Sequence, residues 1–161
     1  MSDPTPLSIH DVITLVRASS QAIAGELRAL GPRATVRPAP GEWCANEVVG
    51  HLIETDRRTP ASRIRTMIAE DRPQFERWDQ PGVAAARRDH EKDPEALLSE
   101  FLAARDADLT FVASLDPGVL GRVGIHPRQG EMTVRDTLVK WVRHDREHLA
   151  QMLSVTDALA R

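Results

Sequence analysis

Residues 133–153 read TVRDTLVKWVRHDREHLAQML. Thr133 and Asp136 stand at the spacing of a capping box, the reciprocal bonding pattern that opens a helix. Val134, Leu138, Trp141, Val142, Leu149, Met152 and Leu153 then recur at helical spacing, which predicts one long amphipathic helix with these residues on its buried face. His144 and His148 lie four residues apart on it, so both imidazoles point the same way, one turn apart, within reach of a single metal ion. Histidines at that spacing also occur on solvated faces, so H-x-x-x-H alone is a weak signal. The flanking Trp141, Val142, Leu149 and Met152 make this stretch inward-looking, where an imidazole without a partner is costly.

Three further helices are legible by the same logic. The first starts at Ser8, with Asp11 three residues on, carries Ile9, Val12, Ile13, Val16, Ile23, Leu27 and Leu30, and stops at Gly31-Pro32. Arg33 to Glu42, with Pro38, Pro40 and Gly41, reads as an extended connection. The second helix opens near Cys44 and presents Val48, Leu52, Ile64, Met67 and Ile68, with Pro60 expected to kink or break it beyond the His51 turn. Asp71 to Lys92 reads as a long, partly irregular crossover holding one short helical piece. Asp93 as N-cap and Pro94 in the first helical position start the third helix, which carries Leu97, Leu98, Phe101, Leu102, Leu109, Val112 and Leu115 and ends at Asp116-Pro117-Gly118. A loop with His126-Pro127 and Gly130 leads to the last helix. No segment reads as a strand. The expected architecture is all-α: one domain over residues 1–161, a four-helix bundle with a long crossover between helices 2 and 3.

Composition bounds the function. Net charge −3 argues against general nucleic-acid binding, which wants a basic face. The single cysteine excludes an internal disulfide framework. MSDPTPLS has no apolar core, so a signal peptide is not expected, and no apolar run approaches the roughly 18 residues of a membrane span. A cytoplasmic protein with no membrane partner is the expectation.

His51, on the second helix, could supply a third imidazole beside His144 and His148. Three nitrogens and an open position describe a reactive metal site rather than a structural one. Such a metal lowers the pKa of a bound water or thiol, and imidazole suits zinc, nickel, copper or iron alike. Glu54, three residues after His51, could orient an imidazole, bind the metal weakly or take a proton. Asp145 and Asp56 are rotated about 100° and 140° from the histidine face on an ideal helix and are not expected as ligands. Gln151 and Trp141 share the face of the paired histidines and are expected in the pocket wall. Cys44 near a helix start reads as a small apolar filler or poor cap rather than a nucleophile. His10, His90 and His126 read as surface residues, with His126 on a loop able to close over a site at the bundle end. Arg57, Arg58, Arg63 and Arg65 could bind an anionic thiol cofactor but read better as a solvated face paired with Glu54 and its neighbours.

Two blocks, WCANEVVGHLIETD (Trp43–Asp56) and PRQGEMTVRDTLVKWVRHDREHLAQM (Pro127–Met152), resemble the DinB-like superfamily of four-helix bundles, and FLAARDADL from Phe101 fits its third helix more loosely. That resemblance implies a divalent metal, zinc or nickel, held by His51, His144 and His148. Relatives of this kind include transferases and isomerases that use low-molecular-weight thiols, along with metal-dependent hydrolases, and dimers are common. The function expected is therefore a metal-dependent thiol S-transferase acting on a small electrophile, with the thiol as co-substrate, Glu54 as proton handler and a homodimeric assembly. The alternatives are a hydrolase using bound hydroxide, and a non-catalytic metal-binding or interaction protein. Cys44 departs from the Ser or Thr cap more usual at its position.

Overall fold

The computed structural model of the chain describes residues 6–160; the polar start of the chain up to Thr5 lies outside them. Helices α1 (Ile9–Leu30), α2 (Ala45–Arg58), α3 (Pro60–Ala69), α4 (Gln80–Arg87), α5 (Pro94–Ala113) and α6 (Val134–Leu159) account for most of it. The expected starts are all present. Ser8 Oγ accepts from Asp11 N at 3.1 Å, Asp93 Oδ2 from Ala96 N at 2.9 Å, and Thr133 Oγ1 from Asp136 N at 3.0 Å. At Cys44, whose own N–H donates to Glu47 Oε2 at 2.9 Å, α2 starts where expected. Pro60 breaks the second helix outright: it becomes the first residue of α3, where its missing N–H costs nothing.

α1, α2, α5 and α6 form the bundle. α1 packs on α5 and α6, and α2 packs on the same two, while α1 and α2 scarcely touch. Helices that follow one another in sequence, α1 with α2 and α5 with α6, therefore lie diagonally, and each groove joins distant parts of the chain. The α2–α6 groove holds the histidines.

Two apolar clusters fill the bundle, one around Ile23, Leu27, Leu52, Phe101 and Met152, the other around Val16, Met67, Leu109, Leu138 and Trp141. α1, α5 and α6 each pass from one cluster to the other at a buried polar residue, Ser20, Arg105 and Asp145; α2 lies in the first cluster with buried Asp56 near its end, and α3 carries the chain into the second. Leu153, expected on the buried face of α6, is instead 44% exposed, because it lies beyond the arc that meets α1 and α2.

The absence of strands was an incorrect expectation. β1 (Val123–His126) and β2 (Gly130–Thr133) form an antiparallel hairpin that runs directly into α6. It also ties down the crossover: Ile125 N donates to Pro73 O at 2.8 Å and Phe75 N to Ile125 O at 2.9 Å. The Phe75 ring packs so closely on β1 that a Cβ at Gly124 would lie 2.5 Å from it. The far end of the crossover is anchored by one face of α2. Asn46 Nδ2 donates to the Asp89 and Lys92 carbonyls, each at 2.9 Å; Gly50 makes room for the Asp89 carboxylate; Glu54 meets Arg87. These three stand at i, i+4 and i+8, a single helical stripe.

Candidate metal centre

His51 comes from α2, and His144 and His148 from α6. Their Nε2 atoms converge: His51 to His144 is 3.2 Å, His148 to His144 is 3.2 Å, and all three ligand atoms lie within 4.8 Å of one another. Metal–nitrogen bonds of about 2.0–2.1 Å in tetrahedral array would separate the nitrogens by about 3.3 Å. Gln151 Oε1 accepts from His148 Nδ1 at 2.8 Å, which leaves His148 Nε2 as a bare lone pair. His144 Nδ1 is buried with no hydrogen-bond partner, so the ring's polar contacts all fall at Nε2. One proton shared among three converging nitrogens cannot satisfy every pair, whereas one cation can. Burial, then the neighbouring imidazoles, pull His51 down to about 4 and His144 down to about 3. Both are therefore neutral near pH 7, the form that binds metal. The donor set fits a divalent metal.

Aromatic rings close over the cluster. Trp43 sits 5.4 Å from the His51 ring and Trp78, from the crossover, stacks on it at 6.0 Å. Thr55 Oγ1 lies 3.4 Å from His51 Nε2. On the side of Thr55, Trp78, Trp141 and His144, a cavity of about 430 Å³ opens toward solvent. That volume suits a small molecule.

Beneath the cluster lies an ion triad that the sequence reading passed over. Arg105 Nε donates to Asp56 Oδ2 at 2.6 Å, and its two terminal nitrogens grip the Asp145 carboxylate, Nη2 to Oδ1 at 2.7 Å. The guanidinium lies 5.0 Å from the Phe101 ring and 5.2 Å from Trp141. Arg105 thus joins α5 to the two helices that carry the histidines. A signal was available: Arg105 stands four residues from both Phe101 and Leu109, inside the apolar stripe.

The remaining residues singled out from sequence fall as follows. The Glu54 carboxylate pairs with Arg57 at 2.9 Å, Arg87 at 2.7 Å and Arg58. Burial pushes the Cys44 thiol up to about 11, which suits a filler and not a nucleophile. Trp141 takes the expected place in the cavity wall, whereas Gln151 does not line the cavity and instead bonds His148. His10 is exposed, and His90 is half-buried beside Glu47 and Glu91. His126, expected at the surface, is a half-buried wall residue of the cavity, because β1 carries it inward. Trp78 and Lys140, which the sequence reading did not single out, share that wall.

A bundle of this topology with three histidines meeting across one groove defines a class, and the sequence places the chain within it. Residues 27–152 match the DinB superfamily, and the chain belongs to that family. It is 28% identical over 138 residues to the uncharacterized protein YuaE of Bacillus subtilis (strain 168), covering 78% of this chain and 84% of that one. Among solved structures it is similar to YfiT from Bacillus subtilis, described as a probable metal-dependent hydrolase with an unusual four-helix bundle topology. The TM-score is 0.84 at 15% identity, over 99% of this chain and 94% of that one. It is also similar to the mycothiol-dependent maleylpyruvate isomerase, at a TM-score of 0.72 and 12% identity, over 92% of this chain and only 63% of that one. At these identities the likeness to both structures is one of fold. No helix among the described residues is long and apolar enough to cross a membrane.

Proposed function

We propose that this chain is a divalent-metal enzyme that transfers a low-molecular-weight thiol to a small electrophile, with His51, His144 and His148 as the protein ligands and zinc or nickel as the metal. The observation that carries the reading is the convergence of three Nε2 atoms beside a cavity of small-molecule size, which His144 lines. When bound, the metal supplies Lewis acidity, lowering the pKa of a thiol or water beside it. The chain's own residues do the rest. Gln151 fixes the His148 ring, Thr55 offers a hydroxyl beside His51, and Trp78 and Trp141 wall the cavity beside the cluster.

Glu54 enters differently from its expected part as proton handler. Its carboxylate is occupied by three arginines, and taking a proton would require those pairs to open. In this reading it positions the crossover that carries Trp78. A homodimer belongs to the same proposal. Val36 and Leu153 are the large apolar side chains that stand exposed among the described residues, so its interface would be mainly polar.

Hydrolysis by activated water is the second reading, favoured by the overlap with YfiT along nearly the whole of both chains. The test is metal content by elemental mass spectrometry of protein and His144→Ala, followed by turnover of electrophiles and esters with and without added thiol. About one equivalent of metal, lost in the variant, with thiol-dependent turnover supports transfer. Turnover without thiol establishes the hydrolase reading. Protein that refuses zinc and nickel overturns both.

A further inference from the structure

The cavity wall has an electrostatic character of its own. Arg63, Arg77, Arg128 and Lys140 line it, and no aspartate or glutamate does. The chain as a whole carries more acidic than basic residues, so four cations without one anion is a local concentration against the overall balance. Several cations elsewhere hold a carboxylate, among them Arg37, Arg57, Arg58, Arg72, Arg87 and Arg105, while others such as Arg17, Arg28 and Arg146 stand scattered on exposed helix faces rather than gathered in one cavity. Among the described residues none of the four wall cations makes an ion pair. Lys140 Nζ donates to Gln129 Oε1 at 2.8 Å and lies 3.2 Å from His126 Nε2, and Arg63 Nη2 reaches only the Glu76 carbonyl at 3.4 Å.

The crowding is visible in the titrating groups. Burial, then Arg63 and Arg128, hold the Lys140 ammonium below its ordinary value. Burial, then Lys140, Arg63 and Arg128, pull His126 down to about 4. Both neighbours of the His126 ring are donors as well: Arg128 N and Gln129 N give hydrogen bonds to Nδ1 at 3.1 and 3.2 Å. Like charges gathered in one concave wall with no carboxylate among them focus a positive potential that draws an anion in. The wall also offers flat aromatic faces: Phe75, over which Arg63 stacks at 5.1 Å, Trp78 and Trp141. An inorganic anion would leave those faces unused.

We infer that the cavity binds a small organic anion, its carboxylate or phosphate met by Arg63, Arg77, Arg128 and Lys140 and its apolar body lying against Phe75, Trp78 and Trp141. This rests on the reading of the cavity as the substrate chamber of the three-histidine site, and it deepens that reading by giving the substrate a charge and a shape. Guanidinium forks suit bidentate carboxylate or phosphate, and the aromatic walls suit a planar body.

The test uses the full chain freed of metal, titrated with phthalate, phenyl phosphate and the neutral benzamide, by calorimetry and by the fluorescence of the cavity tryptophans. Phthalate or phenyl phosphate should bind saturably, weaken with added salt, and lose at least about tenfold in affinity in Arg128→Gln/Lys140→Gln, two exposed positions whose change leaves the core intact. Tighter phthalate identifies a carboxylate, tighter phenyl phosphate a phosphate ester. Benzamide binding as well as either anion, or a double variant with unchanged affinity, would overturn the inference, as would no saturable binding at millimolar ligand. Metal content in the same preparation separates the two claims. An anion that fails to bind protein able to take up metal defeats only this inference, and anion binding by protein that takes up no metal defeats only the enzyme reading.

Discussion

Arg105→Met removes the one cation that two buried carboxylates share. Arg105 is 2% exposed, Asp56 2% and Asp145 0%, so neither acid can turn to water when the guanidinium leaves. Breaking a buried pair by deleting one partner costs about 3–5 kcal/mol. For a chain of this size that corresponds to a fall in melting temperature of about 6–20 °C. The pH dependence carries a sign. Burial already pushes the Asp56 carboxyl up to about 7 against the pull of Arg105, from an ordinary value of 3.8. Without the arginine the Asp56 carboxyl loses that pull and is driven further up, so the folded state keeps a proton that the unfolded chain releases. Stability of the variant should therefore fall as pH rises from about 4 through 7, and its deficit should be larger at about pH 8 than at about pH 5. The assay is thermal unfolding of metal-free protein by circular dichroism at both pH values. The triple variant Arg105→Met/Asp56→Asn/Asp145→Asn, which removes the charges together, should recover much of the loss. A deficit under about 1 kcal/mol, or one equal at the two pH values, would refute the account of the triad as a buried charge cluster.

Three further outcomes follow from the site and its supports. Gln151→Leu deprives His148 Nδ1 of its acceptor and should weaken zinc binding about 10–100-fold, measured by chelator competition, with the melting temperature little changed. Gly50→Ala places a Cβ 1.8 Å from Asp89 Oδ2, which should cost about 1–3 kcal/mol and raise hydrogen exchange across residues 80–92 while the metal equivalents stay the same. In metal-free protein the lowered His51 and His144 mean that the unfolded chain binds protons the folded one refuses. Stability should drop as pH falls from about 6.5 toward about 4, and the urea midpoint of His51→Gln/His144→Gln should follow pH less steeply over that window.

What the sequence made legible was local. The caps at Ser8, Asp93 and Thr133 are settled within three residues, and the periodic apolar faces between them follow from helical geometry alone. The histidine pair is local too, and His51 was read from its helix as a possible third imidazole, a role the family resemblance then implied as well. The parts that escaped depend on long-range pairing. β1 and β2 are four residues each, and their ladder to Pro73 and Phe75 spans fifty residues of chain that no periodicity announces. The same distance hid the roles of Trp78 and His126, which reach the cavity only because the crossover and the hairpin are sewn together. Geometry on an ideal helix turned Asp56 and Asp145 away from the histidines, and the structure gives them Arg105 instead. Arg105 itself was readable as a charge where the spacing asks for an apolar residue.

The diagonal placement of neighbouring helices bears on how such a site comes into being. His51 precedes His144 by 93 residues, and at ribosomal speeds of about 5–20 residues per second the first imidazole exists for roughly 5–20 s before the second is made. During that interval it is a lone weak ligand on a helix that can already meet α5 but still lacks α6. A fragment ending before Gly130 should accordingly hold zinc no better than an isolated histidine does in a calorimetric titration. Any choice among metals then falls to the assembled α2–α6 groove and not to the growing chain.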